Sequence, residues 1–185
     1  MPGRLFARLE ALASRRILGA LIVIFLVLFL VVFPMAAAQL ASYSGDVRMI
    51  DSLYSYTPDQ VYQMISAYGE QGRSLYILTT LTADLLYPLD YSLLLSLLII
   101  ATYRQAFPGG RMVRPMSLLP FITALFDLLE NAGVVAMLAS FPQQLTLIAQ
   151  ASSIFTSLKW GFLVISIVLV LVGFIGLAAA RLRPH

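Results

Sequence analysis

Asp84, Asp90, Asp127 and Glu130 are carboxylic acids, each flanked by apolar sequence long enough to cross a bilayer. An ionised side chain at that depth is costly, so such residues face a bundle interior or a wet cavity and mark function by default. Against four acids stand two nearby cations, Lys159 and Arg73. Full ionisation leaves an excess of about two negative charges, and both low dielectric and neighbouring acids favour the protonated form. Either an acid holds its proton near neutral pH or a cation binds among them.

The residue types narrow the chemistry. Cysteine is absent, which removes disulfides, thiolate nucleophiles and thiolate metal sites together. The single histidine, His185, is the last residue, so neither His-ligated zinc or haem nor a histidine base within the spans is expected. No phosphate-binding glycine loop, nucleophile elbow, metalloprotease pair or dinucleotide fingerprint occurs. No cofactor is expected, and no metal site can be assigned.

Spacing places the acids on common faces. At 100° per residue, Arg73, Tyr76, Thr80, Asp84, Tyr87 and Tyr91 fall on one stripe of a helix. Thr123, Asp127, Glu130, Asn131 and Val134 share a second, and Ser152, Thr156, Lys159 and Ser166 a third. Asp90 sits on the flank of its helix near Pro88, which frees a backbone carbonyl close to the acids and is expected to kink the helix. The candidate ligand-binding set is Asp84, Tyr87, Asp127, Glu130, Asn131, Lys159 and Arg73. Each has a plainer reading. Asp127-x-x-Glu130-Asn131 can be interhelical glue, and Lys159-Trp160 can be an interface anchor. Arg73 can be a surface residue at the head of its span or a grip for an anionic head group.

These stripes need helices through a membrane. Apolar residues make up 60% of the chain and charged residues 11%, more hydrophobic surface than a soluble domain of this length can hide. The predicted fold is all-α: one domain, an antiparallel four-transmembrane-helix bundle with spans near 17–38, 74–103, 116–139 and 158–180. Ala36-Ala37-Ala38 resembles a signal-peptidase site, but its apolar stretch is longer than a signal core, so an uncleaved anchor is expected. Residues 3–16 alternate apolar and Arg positions at helical spacing and suit a basic helix on the cytoplasmic surface. Thr57-Pro58-Asp59-Gln60 reads as a capped helix start. Val61, Met64, Ile65 and Tyr68 follow as an apolar stripe, and Gly69 as a stop. That segment, 57–68, is predicted as an amphipathic surface helix in the first outer loop.

Nine cations (Arg4, Arg8, Arg15, Arg16, Arg104, Arg111, Arg114, Arg181 and Arg183) fall on one side if both termini are inside, leaving Arg48, Arg73 and Lys159 outside. The bias puts both termini in the cytoplasm of a multi-pass protein of the cell membrane. It also explains the net charge of +3 without nucleic acid. Counting from these anchors puts Asp90 about 21 Å above Arg104, and Asp127 about 20 Å and Glu130 about 24 Å above Arg114. The acids thus share the outer half of the membrane, as an outward-facing pocket.

Three functional classes follow. The first is binding or assembly, the pocket holding a polar lipid head group, a cation, a helix of another membrane protein or a second copy of the chain. The second is an intramembrane acid–base enzyme acting on lipid, with Glu130 and Asp127 as the catalytic pair. The third is a proton- or cation-coupled transporter working as an oligomer. Binding is preferred, because nothing supplies a nucleophile or cofactor.

Overall fold

The computed structural model describes residues 2–110 and 112–182, with side chains from Phe6 onward. Arg111, Arg183 and His185 lie outside the described residues, as do the side chains of Arg4 and Leu5. The elements are α1 (Pro2–Leu12), α2 (Arg15–Val27), a π turn (Leu28–Val32), α3 (Phe33–Ser44) and a 3-10 turn (Ile50–Ser52). α4 (Pro58–Ala67), α5 (Gly69–Leu81), α6 (Ala83–Ala106), α7 (Val113–Ser140) and α8 (Thr146–Leu182) follow. No strand occurs among the described residues. Among the described residues, consecutive elements combine into four helices long and apolar enough to cross a membrane: Arg15–Ser44, Gly69–Ala106, Val113–Ser140 and Thr146–Leu182. The approach to the fourth span, around Pro142 in sequence, joins that span's helix from Thr146 onward.

The first span is irregular where its sequence requires it. Pro34 offers no N–H to the preceding turn, and that turn widens, the Phe33 amide donating to the Leu28 carbonyl five residues back. On a regular helix, positions four apart drift by about 40° per step. The extra residue in a π turn takes part of that drift back. Phe25, Phe29, Phe33 and Ala37 therefore stay on one face and line one cavity.

The second span bends at a place the sequence does not announce. α6 runs unbroken through Pro88, and the chain breaks instead at Thr82 (φ −117°, ψ −87°). A proline ring crowds the carbonyl four residues earlier, here that of Asp84, so the distortion falls toward the preceding turn. Thr82 Oγ1 donates to the Leu78 carbonyl at 2.6 Å, and its amide reaches the Thr79 carbonyl at 3.3 Å. Both cover acceptors that the break would leave free. The single stripe expected from Arg73 to Tyr91 is divided here.

α4 carries the predicted capping box, Thr57 and Gln60 each accepting from the other's amide. Gly69 follows in the left-handed region at φ 65° and lets α5 set off in a new direction. The apolar stripe of α4 faces protein: Val61, Ile65 and Tyr68 are buried in a core with Leu40, Tyr76, Val134, Met137 and Ala149. A second core joins Phe6 and Leu9 of α1 to Leu97, Ile100, Tyr103, Val113 and Val170, with Glu10 3.7 Å from Arg104 at its edge. α1 thus packs on α6, α7 and α8 through Phe6 and Leu9, where the sequence suggested a membrane-surface helix. On α5–α6, α7 and α8 alike, the chain passes from one core through the polar residues to the other.

α8 meets the end of α6 through small residues. A Cβ on Gly173 would collide with Thr102 Oγ1 and lie 2.8 Å from the Tyr103 ring, whereas one on Gly161 meets nothing within 4 Å. Gly173→Val is expected to cost about 1–2 kcal/mol by overpacking. Gly161→Ala is expected to be neutral or to gain up to about 1 kcal/mol from helix propensity. Thermal unfolding in detergent, followed by circular dichroism, checks the pair. Equal melting temperatures would contradict this packing.

Candidate functional site

Between the two apolar cores lies a polar layer. Asp127 and Glu130 are one turn apart on α7, so both carboxylates leave the same face, and Lys159 of α8 reaches them together. Its Nζ is 2.5 Å from Glu130 Oε2 and 3.4 Å from Asp127 Oδ1. Thr156, one turn before Lys159, donates to Glu130 Oε1 at 2.8 Å, and Tyr91 of α6 donates to Asp127 Oδ2 at 2.9 Å. Glu130 is fully buried and Lys159 is 6% exposed. The lysine therefore turns inward rather than anchoring at an interface, and its charge is shared by two acids.

Asp84 is treated differently. Pro88 has no N–H for the Asp84 carbonyl, and Asn131 of α7 supplies the missing donor, Nδ2 to O at 3.1 Å. The backbone of Asp84 is thus pinned to α7 at a point where a regular helix would bond internally. Its carboxylate is left alone: no described group donates to it and no cation lies within 4 Å, although the residue is only 6% exposed.

That carboxylate faces a cavity of about 1020 Å³ between the first span and α6 and α8. Asp84, Tyr87, Tyr91 and Leu94 line it at spacings of three and four along α6, and Lys159, Trp160, Leu163 and Ile167 line it from α8. The first span supplies aromatic rings. Phe25 stacks on Tyr87 at 5.5 Å between centroids, and Phe33 meets Tyr87 edge-on at 5.0 Å. One end is polar, with Arg48, Asp51 and Asp84; the other, around Leu94, Leu95 and Ile167, is apolar.

Residues 45–57 close the polar end as a strap. One face of α8 holds it: Ser153 accepts from the Tyr56 amide at 2.9 Å, while Ser157 and Trp160 donate to the carbonyls of Tyr54 and Leu53 at 3.0 and 3.1 Å. From α5, the Tyr76 hydroxyl donates to Asp51 Oδ1 at 3.1 Å and accepts from its amide at 3.2 Å. Tyr68 donates to the Arg48 carbonyl at 2.6 Å. Burial, and then the negative charge of Glu130, push the pKa of the Tyr56 hydroxyl on the strap above the ordinary tyrosine value.

The structure thus brings together Asp84, Tyr87, Asp127, Glu130, Asn131 and Lys159, and leaves Arg73 apart. The Arg73 guanidinium lies 4.5 Å over the Phe141 ring and donates to the Ile65 carbonyl, away from the cavity. Beyond the break at Thr82 its face is no longer that of Asp84. Asp90 is buried with both carboxylate oxygens unpartnered and does not line the cavity. No group of three or more His, Cys, Asp or Glu able to hold a metal occurs among the described residues. Arg48, Asp51 and the aromatic face of the first span are additions to the site that the sequence reading lacks. No family model matches the chain, and no curated protein and no solved structure matches it either.

Proposed function

We propose that this is an antiparallel four-helix membrane bundle, both termini cytoplasmic, that binds a membrane lipid in the cavity beside its first span. The orientation rests on the Lys and Arg distribution, which sets the Arg48–Asp51 end toward the outer leaflet. One observation carries the binding reading: the cavity is polar at the strap and apolar below it, along the direction a lipid would lie. Its volume is at the upper end of what single-molecule sites use, which are mostly apolar with a few placed polar groups.

The tied state of Glu130 and Asp127 favours binding over acid–base catalysis. A catalytic pair needs carboxyls free to exchange protons with substrate. Here Lys159, Thr156 and Tyr91 occupy them. Of the acids that line the cavity, Asp84 alone is free, and one acid without a nucleophile is a recognition element.

The test is native mass spectrometry of the protein released from mild detergent. A lipid-sized adduct is expected on the wild type, and Ala37→Trp, which fills the cavity from the first span, should remove most of it at unchanged helical content. Retention undiminished in Ala37→Trp would overturn the proposal, as would a co-purifying polypeptide with no lipid.

A further inference from the structure

An unpaired carboxylate inside an apolar wall needs a positive partner. Of the other charges around this cavity, Lys159 is shared by Asp127 and Glu130, the Asp51 carboxylate takes the Tyr76 hydroxyl, and Arg48 stands at the exposed rim. Asp84 remains, 6% exposed, lining the cavity, with no donor and no cation. Counting both sides of the layer, Asp51, Asp84, Asp127 and Glu130 face Arg48 and Lys159, a balance of four against two.

The surroundings decide which cation suits. A hard metal ion requires several oxygen ligands, and a single free carboxylate does not supply them. What lines the cavity with Asp84 is aromatic: Tyr87 and Tyr91 follow it on α6 with ring centroids 5.2 Å apart, and Phe25 and Phe33 close on Tyr87 from the first span. Ring faces within about 6 Å attract organic ammonium ions, and aromatic cages are the recurring solution for quaternary ones. Arg48 is exposed at the rim without an ion pair among the described residues, a free partner for a phosphate. The floor at Leu94, Leu95 and Ile167 suits an acyl chain.

We infer that the cavity selects a zwitterionic lipid whose head carries an ammonium group, seated at Asp84 among Tyr87, Phe25 and Phe33, with its phosphate toward Arg48. This rests on the lipid-binding reading above and adds the head-group class.

Trp160 is the sole tryptophan and lines the cavity, so its fluorescence reports occupancy. Delipidated protein in maltoside detergent is titrated with short-chain lipids of identical brominated acyl chains bearing phosphocholine, phosphoethanolamine or phosphoglycerol heads. The two ammonium heads are expected to quench at about tenfold lower concentration than phosphoglycerol, a difference of about 1.4 kcal/mol. Asp84→Asn should shrink that preference to less than about twofold by weakening only the ammonium lipids, and Asp84→Glu should keep most of it. Equal quenching by all three heads on the wild type would overturn the ammonium assignment while leaving lipid binding in place. Quenching by none would overturn both. The wild-type comparison decides even where Asp84→Asn folds poorly.

Discussion

Lys159→Met is expected to destabilise the protein by about 3–5 kcal/mol, the largest effect of any single substitution in the polar layer. The reason is what stays behind. Methionine fills much of the space of the lysine stem, so little packing is lost, but Asp127 and Glu130 remain a turn apart in a buried layer. Removing one partner of a buried ion pair costs far more than removing both, because an uncompensated charge is left. Lys159→Met combined with Glu130→Gln and Asp127→Asn is therefore expected to recover at least half of the loss. The amides can still accept from Thr156 and Tyr91 and no longer repel each other. Unfolding by a denaturing detergent, read by circular dichroism, gives both numbers. A Lys159→Met protein as stable as the wild type, or a triple variant no better than the single, would mean that the 2.5 Å contact to Glu130 does not carry the layer.

The same layer shows what can be read from a one-dimensional chain. Asp127, Glu130 and Asn131 on α7, and Thr156 and Lys159 on α8, are legible because helical periodicity sets them on one face and low dielectric demands that the face be covered. Arg73 is misplaced by the same rule, since extrapolating 100° per residue through Thr82 assumes a helix that the chain does not continue. The strap escapes periodic reading altogether. Arg48 sits in irregular backbone and Asp51 in a single 3-10 turn, and Ser153, Ser157 and Trp160 hold the strap through main-chain groups of Leu53, Tyr54 and Tyr56, which carry no residue-type signature. The first span fails for the opposite reason: Phe25, Phe29 and Phe33 stand in an unbroken apolar run, so no contrast marks the face that lines the cavity.

Asn131 offers the most specific check on how Asp84 is held, through a double-mutant cycle with Pro88. Asn131→Leu removes the side-chain donor from the Asp84 carbonyl, an acceptor that has no intrahelical partner because residue 88 is proline. An orphaned buried carbonyl costs about 1–3 kcal/mol, and the tight contact between α6 and α7 places this one near the top of that range, at about 2–3 kcal/mol. In a Pro88→Ala background, residue 88 regains an N–H four positions after Asp84, and the helix can satisfy the carbonyl internally. There Asn131→Leu should cost about 1 kcal/mol or less, a coupling of about 1–2 kcal/mol between residues that share no hydrogen bond with each other. The substitutions also separate stability from recognition. Asn131→Leu should loosen the position of the Asp84 carboxylate and weaken ammonium-lipid quenching of Trp160, whereas Gly173→Val, at the far end of α8, should lower stability without changing head-group preference. An equal cost for Asn131→Leu in both backgrounds would show that Asn131 acts on something other than the carbonyl that proline sets free.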